Sequence, residues 1–144
     1  MSNTLYDLDF YAWANEQASL LRAGRFAEID VDNIAEEIES MGRSQKSELV
    51  NRLAALLAHL LKWRCQPSHR GNSWRLTIEE QRRRLADHLA DNPSLNAQID
   101  SALQRAYRLA RLQAARETGL GRDAFTDGSP FAFDQIAADD FWPD

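Results

Sequence analysis

The stretch that decides the fold is "DVDNIAEEIESMGRSQKSELVNRLAALLAHLLKW", residues 30–63. Its large apolar residues recur every three or four positions, which is the spacing of one face of an α-helix. Asp30 is a good N-cap, and the acidic residues that follow it suit the first turns of a helix. Gly42 falls inside this pattern without shifting its phase. We therefore predict one long helix over about residues 31–64, with a kink or break at "GRS" as the alternative.

Helical spacing continues on both sides of this stretch, and no segment alternates with the period of a β-strand. Glycine, proline and capping residues mark where the other helices begin and end. They predict a first helix over about 7–23 that Gly24 ends, a third helix capped by Asn72 or Ser73, a fourth with Pro93 in its first position and Gly119 at its end, and a short helix from about Ser129 or Pro130.

The fold class that follows is all-α, a four-helix-type bundle with one long helix, about 31–64, and a short C-terminal helical wrap. A chain of 144 residues is the size of one domain. We therefore expect a single helical domain over 1–144, in which residues 119–144 pack on the bundle. The aromatic residues of that segment are expected to hold it there: Phe131, Phe133, Phe141 and Trp142.

The composition indicates an ordinary globular protein, with 44% apolar and 27% charged residues. The longest apolar run, "LAALLAHLL" at 53–61, is far shorter than a membrane span. The acidic N-terminal residues do not have the pattern of a signal peptide. Cys65 is the single cysteine, so no intramolecular disulfide can form. We therefore expect a cytoplasmic protein with no membrane partner.

Charge is distributed unevenly along the chain, whose net charge is −5. Residues 1–39 hold nine acids and two bases, residues 62–84 hold seven bases and two acids, and residues 123–144 hold six acids and no base. An acidic, then basic, then acidic order needs a cause within the fold or in a partner. We predict that the last segment lies against the bundle and brings some of its carboxylates near the cations of residues 62–84, within the chain or across a dimer.

The basic stretch is the strongest candidate for a partner surface. Cations mixed with aromatic residues suit phosphate neutralisation and base stacking. However, Trp63 and Trp74 fall on the inward phase of their helices, and Glu79 with Arg83 and Glu80 with Arg84 have the spacing of exposed helical ion pairs. We expect no nucleic-acid partner. The predicted ligand or partner surface consists of Lys62, Arg64, Arg70, Arg75, Arg82 and Arg83.

Metal and catalytic sites have weaker support in the sequence. His59, Cys65 and His69 lack the paired spacing of structural zinc sites, and no Glu-x-x-His pair is present. If the protein were a metal-dependent enzyme, His59, Glu36 and Glu39 would be its ligands. Otherwise His59 is a hydrogen-bonded core histidine and the Glu residues are a solvated first turn. Nearby cations would lower the pKa of Cys65. We predict no catalytic residue and no cofactor.

Specific sequence blocks resemble a known family. "EEIESMGRS" at 36–44 and "HLLKW" at 59–63, with the later "NPSL" and "DFWP", are similar to the domain-of-unknown-function family numbered twenty-nine, found in bacteria including cyanobacteria. The resemblance covers nearly the whole chain. It implies an α-helical bacterial protein without an established activity, and it supplies no catalytic residue.

The leading functional hypothesis is a small non-catalytic protein-interaction module that binds an unknown protein partner, with homo-oligomerisation as one form of that binding. The first alternative is a nucleic-acid-associated protein that uses residues 62–84. The second alternative is the metal-dependent helical-bundle enzyme.

Overall fold

The computed structural model describes residues 4–144, and these residues form helices and turns without a β-strand. The predicted all-α class and the long second helix are confirmed. Residues 1–3 of the predicted domain lie outside the described residues. The α-helices are α1 (Leu5–Leu8), α2 (Phe10–Arg22), α3 (Val31–Cys65), α4 (Asn72–Asp91), α5 (Ile99–Thr118) and α6 (Phe133–Ala137).

The long helix α3 is continuous over 35 residues, so the break considered at "GRS" does not occur. Asp30 precedes it and accepts a hydrogen bond from the main-chain N–H of Asn33 through its carboxylate, at 3.5 Å. Lys62 and Arg64 lie in its last turn, where the helix dipole stabilises cations. The helix therefore has favourable charges at both ends, as its sequence indicates.

The chain forms two compact units, residues 1–43 and 44–144. The described part of the first unit holds α1, α2 and the first turns of α3. Trp13 is buried there, and its indole N–H donates to the carboxylate of Asp30 at 3.0 Å. The side-chain oxygen of Gln17 accepts from the main-chain N–H of Asp30 at 2.8 Å. Asp30 thus fixes the start of α3 to the side chains of α2.

The second unit contains the main hydrophobic core. Small side chains on one face of α5 are fully buried and allow that helix to approach the core closely: Ala102, Ala106, Ala110 and Ala114. The large buried side chains come mostly from the later turns of α3, with others from α4 and α6: Leu49, Leu53, Leu56, Leu57, Leu60, Ile78, Leu85 and Ile136. The single-domain organisation predicted for residues 1–144 stays a prediction.

The predicted first helix is wrong in one respect, because it is two helices that meet at Asp9. The Asp9 carboxylate accepts the main-chain N–H of Ala12 at 3.1 Å and so caps α2, which ends the preceding turn. Phe10 and Leu21, two apolar residues of α2, are exposed. Gly24 follows the end of α2, as predicted, with a left-handed φ of 73°.

Other helix ends differ from the prediction by a few residues. α4 begins at Asn72 with Gly71 as its N-cap, so neither predicted side chain caps it. Pro93 opens a short 3-10 segment, Pro93–Gln98, and α5 begins only at Ile99. Gly119 ends α5 in the left-handed region, as predicted. The final helix α6 begins at Phe133 because Ser129 and Phe131 form a hydrogen-bonded turn before it.

Candidate functional site

The junction between α3 and α4 brings together most of the cations that the sequence singled out. Trp63 is buried and Trp74 is half-buried against the core, so both indoles pack inward as predicted. The segment after α6, residues 138–144, lies over this junction and contacts it through both main chain and side chains. We call these contacts the tail junction.

Arg82 is the most buried cation of the tail junction, with 2% of its surface exposed. Its guanidinium donates to the main-chain carbonyls of Ile136 at 2.9 Å and Phe141 at 2.6 Å, and more weakly to Asp139 at 3.4 Å. Burial lowers the pKa of this guanidinium, whereas the nearby charges of Asp139 and Asp140 raise it. The Arg82 side chain therefore holds the turn after α6 in place through hydrogen bonds to main-chain carbonyls.

Trp142 is the aromatic centre of the tail junction. Its ring lies 4.7 Å from that of Trp63, centre to centre. The guanidinium carbons of Arg75 and Arg82 lie 4.9 Å and 5.3 Å from the Trp142 ring centre. Cations at such distances are attracted to the negative face of an indole ring. Trp142 is therefore held by one apolar and two cationic contacts.

Two further arginines contact the C-terminal part of the chain: Arg70 bonds to the tail segment, and Arg64 lies over Phe131, which precedes α6. Arg70 donates to the main-chain carbonyl of Trp63 at 2.6 Å and to that of Pro143 at 3.3 Å. Arg64 lies over the ring of Phe131, with its guanidinium carbon 5.9 Å from the ring centre. The prediction that carboxylates of the last segment come near the cations of residues 62–84 holds for Arg82, because the charges of Asp139 and Asp140 raise its pKa. The direct contacts of Arg64 and Arg70 are with an aromatic ring and with carbonyl oxygens.

Lys62 is the other buried cation and belongs to a separate cluster. Its ammonium donates to the carboxylate of Glu117 on α5 at 2.6 Å and lies 5.3 Å from the ring centre of Trp74. The hydrogen bond from Lys62 lowers the pKa of Glu117. Sequence reasoning missed this pair, because 55 positions separate the two residues and neither lies in a recognisable motif.

Arg83 is an exposed member of the predicted surface, as are Arg64 and Arg75. It lines a cavity of about 600 Å³ together with Arg82, and Glu79, Asp87 and Asp139 contribute carboxylates to the same wall. Such a mixture of charges does not favour an anionic ligand over a cationic one. The assignment of all six cations to one partner surface stays a prediction, in which Lys62 and Arg82 are buried and the others reach solvent to differing degrees.

The helical ion pairs predicted on α4 are present in part. Glu80 and Arg84 form theirs, with Nη2 and Oε1 3.1 Å apart. Glu79 and Arg83 form no ion pair among residues 4–144, and both instead line the cavity described above. One pair of the two is thus confirmed.

The proposed metal ligands have other partners. Nδ1 of His59 lies 2.9 Å from the main-chain oxygen of Ala55, and burial lowers the pKa of the imidazole. The predicted hydrogen-bonded histidine is confirmed, and it is half-buried. Glu36 and Glu39 belong to the first unit and His59 to the second. Within residues 4–144, no group of three His, Cys, Asp or Glu side chains is placed to hold a metal ion.

The thiol of Cys65 corrects another expectation. Its pKa is raised by burial, an effect that Arg64 opposes only partly. A raised thiol pKa leaves less of the reactive thiolate at neutral pH. The nearby cations therefore do not activate this cysteine.

The acidic first unit contains its own hydrogen-bonded pairs. Glu36 accepts from Arg43 at 2.9 Å. The hydroxyl of Tyr6 donates to Glu37, and this bond raises the pKa of the tyrosine to about 12. The carboxylate of Asp30 has a lowered pKa, because Asn33 and Trp13 donate hydrogen bonds to it. The acidic run is thus more than a solvated first turn.

The first turns of α3 also expose apolar side chains on a helix rich in acids. Val31, Ile38 and Met41 are 60%, 58% and 60% exposed. At 3.6 residues per turn, Val31, Ala35, Ile38 and Gly42 lie within about 60° of one another around the helix, with Met41 beside them. We call these five residues the α3 stripe. The sequence predicted an apolar face here, but the structure leaves it open to solvent.

The sequence profile described as domain of unknown function DUF29 matches residues 5–142. The chain belongs to this family. The resemblance inferred from "EEIESMGRS" and "HLLKW" is therefore confirmed. Comparisons with curated proteins and with solved structures gave no match.

The DUF29 match spans both compact units and includes Trp142, the centre of the tail junction. The α3 stripe therefore lies inside the matched residues, as does the tail junction up to Trp142. None of the helices in the part of the chain that the structure describes combines the length and apolar character needed to cross a bilayer.

Proposed function

We propose that this DUF29 protein is a non-catalytic protein-interaction module and that the α3 stripe is its binding surface. The observation that carries the proposal is the exposure of Val31, Ile38 and Met41, each near 60%, within about three turns of one helix. Single exposed apolar residues are common on protein surfaces, but a row of them at helical spacing is typical of a surface that binds another protein.

Exposed apolar side chains such as these contribute most to binding free energy when a partner covers them. Burial of a fully exposed side chain of this size contributes about 1.5–3 kcal/mol. A helix that lays such a face into an apolar groove, or against another helix, is a recurrent mode of recognition. The stripe is therefore suited to bind a complementary apolar surface.

The charges beside the stripe indicate what the partner surface carries. Asp32 and Glu39 are exposed next to the apolar positions. Cations on the partner would face these carboxylates, which favours encounter with the correct surface and disfavours acidic ones. The partner we propose is a protein surface, cytoplasmic like this chain, that is apolar in its centre and basic at its rim.

The two alternative functions have less support. Phosphate binding by residues 62–84 would compete with contacts that Arg70, Arg75 and Arg82 already make with carbonyls and rings. The metal-dependent enzyme would use Glu36, whose carboxylate pairs with Arg43 instead. An interaction module needs none of these groups.

The test is capture of partner proteins by the tagged chain from the cells that produce it. The variant is Ile38→Gln with Met41→Gln, which removes apolar surface but keeps helix propensity. Leu76→Gln is the matched control, since Leu76 is 53% exposed on α4, outside the stripe. We expect the wild type and the control to retain the same partners and the stripe variant to lose them. Equal capture by all three chains would overturn the proposal.

A further inference from the structure

A second exposed apolar face lies on α5. Leu109 and Leu112 are 51% and 45% exposed, while alanines of the opposite face are fully buried. At 3.6 residues per turn, Arg105, Leu109, Leu112 and Arg116 lie within about 60° of one another, with Arg108 at the edge. All five are exposed. We call them the α5 face.

The α3 stripe has acids beside it, whereas the α5 face carries bases. Within residues 31–42, Asp32 and Glu39 are exposed beside the stripe, whereas Glu36 pairs with Arg43 and Glu37 accepts a hydrogen bond from Tyr6. Within residues 101–116, the α5 face carries three bases and no acid: Arg105, Arg108 and Arg116. Each segment has twelve to sixteen residues, so each presents about 18–24 Å of helix. The two faces therefore match in length, apolar centre and sign of charge.

We propose that the α3 stripe of one copy binds the α5 face of a second copy of this chain. The inference rests on the proposed function, since it names a partner for the same stripe. Leucines of the α5 face would cover Ile38 and Val31, and the arginines would face the carboxylates beside them. The two surfaces differ, so the contact is heterologous, and each copy offers both halves of it.

Gly42 supplies an independent reason for a helix to approach here. A Cβ atom added to Gly42 would meet nothing within 4 Å. Packing inside the chain therefore does not require a glycine at this position. Glycine nevertheless lowers helix propensity. At an exposed position in line with Val31 and Ile38, the missing side chain leaves room for the backbone of a second helix to come close.

The expected contact is small, and its strength should depend on salt. Two short helical faces bury less area than a standard stable interface, which places this association in the weak class. Opposite charges at its rim are screened over about 3 Å at 1 M salt, compared with about 10 Å at 0.1 M. Association should therefore weaken as salt is added, whereas a purely apolar contact would not weaken.

The experiment is sedimentation of the full chain over roughly 1 µM to 1 mM, the range of weak interfaces. Ile38→Lys places a cation in the stripe, and Leu109→Glu places an anion in the α5 face. Both introduced residues are good helix formers. Leu76→Glu is the control for a new charge elsewhere. We expect the wild type and the control to self-associate with rising concentration and each face variant to stay monomeric.

The decisive sample is an equimolar mixture of the two face variants. Ile38→Lys retains an intact α5 face, and Leu109→Glu retains an intact stripe, so the mixture should form a one-to-one dimer and nothing larger. A mixture that stays monomeric, a wild type that stays monomeric throughout the range, or face variants that associate like the wild type would each overturn the proposal.

The outcome for the proposed function remains separate. If the wild type is monomeric while capture of other proteins still depends on Ile38 and Met41, self-association is wrong and the interaction module stands. If capture is also independent of the stripe, both are wrong. Loss of association at about 1 M salt, with recovery on dilution into about 0.1 M salt, supports the charged rim.

Discussion

The guanidinium of Arg82 donates to the main-chain carbonyl of Ile136 at 2.9 Å, across 54 positions of the sequence. A second bond to Phe141 at 2.6 Å fixes the turn that follows α6. Hydrogen bonds from a charged donor contribute more than neutral ones, and a buried carbonyl that loses its donor is costly. Arg82 therefore stabilises the last segment of the second unit through atoms that every residue type possesses.

Replacement of Arg82 by Met should destabilise the protein by about 3 kcal/mol, because two carbonyls lose a charged donor in a buried site. Met keeps the apolar part of the side chain, so the loss reports mainly on the hydrogen bonds. Urea unfolding followed by circular dichroism measures the change in the free energy of unfolding. Tryptophan fluorescence should change too, since Trp142 packs against Arg82.

The matched control is Arg83→Met on the neighbouring, exposed position. Surface substitutions of this kind change stability by about 0.5 kcal/mol or less. Arg82→Lys should recover only part of the loss, because an ammonium cannot present the planar fork that reaches both carbonyls. Equal effects of Arg82→Met and Arg83→Met would contradict the role assigned to Arg82.

The Lys62–Glu117 pair should behave asymmetrically on substitution. Glu117→Gln leaves the buried ammonium with a weaker partner and should cost about 1–3 kcal/mol. Lys62→Met leaves a carboxylate that can turn to solvent, since the side chain of Glu117 is 39% exposed. That single change should therefore cost less. The double variant should be about as stable as Lys62→Met alone, which a double-mutant cycle in urea would measure.

If the two single losses of stability simply add in the double variant, the 2.6 Å contact between Lys62 and Glu117 has no coupling energy. A matched exposed pair is available in Glu80 and Arg84, whose side chains are 57% and 50% exposed. Pairs of that kind contribute about 0–1 kcal/mol. Their coupling energy should be smaller than that of Lys62 and Glu117.

Much of the fold was predictable because apolar spacing identifies the side of a helix that packs. The large apolar side chains from Leu49 to Trp63 are buried, as helical spacing predicts. The same spacing also predicted an inward face at Ile38 and Met41, which are exposed. Periodicity shows which residues share a face, but it does not show whether another element covers that face. Burial at the start of α3 therefore could not be predicted from the pattern.

The tail junction was predictable only in outline. Aromatic residues and opposite charges predicted that the last segment meets the cations, but not that carbonyls would be the acceptors. Main-chain acceptors have no sequence signature, because every residue carries one. One signal was present: Arg82 lies four positions after Ile78 and three before Leu85, both fully buried. A cation on the buried face of a helix indicates that buried hydrogen-bond acceptors or anions lie opposite it.

Protonation of Asp30 should loosen the first unit in acid. The pKa of Asp30 is lowered by hydrogen bonds from Asn33 and Trp13, so the ionised form is favoured in the folded state. Its contribution to stability is present above the ordinary pKa of about 3.9 and is lost as pH falls through the lower folded value. Asn33→Ala removes one donor residue and should move acid unfolding to higher pH. Carboxyl titration by NMR would follow Asp30 directly.

A control for that experiment is Asn96→Ala, since Asn96 donates only to the carbonyl of Pro93 and touches no carboxylate. Its acid transition should match that of the wild type. If Asn33→Ala also titrates like the wild type, Asp30 does not depend on the bond from Asn33 at 2.8 Å.

The pair formed by Tyr6 and Glu37 should show the opposite dependence on pH. The hydrogen bond to Glu37 raises the pKa of Tyr6 to about 12, because it favours the protonated phenol. In the unfolded chain the pKa is about 10. The contribution of Tyr6 to stability is therefore fully present below about pH 10 and is lost as pH rises from about 10 to about 12.

Ultraviolet titration of phenolate should detect this shift, and Tyr6→Phe identifies the signal because only two tyrosines then remain. Glu37→Gln keeps the tyrosine but removes the negative charge, so the pKa of Tyr6 should fall toward about 10. The stability difference between wild type and Tyr6→Phe should also shrink above about pH 10. A Tyr6 signal that titrates at the same pH in the wild type and in Glu37→Gln would show that this carboxylate does not hold the phenol protonated.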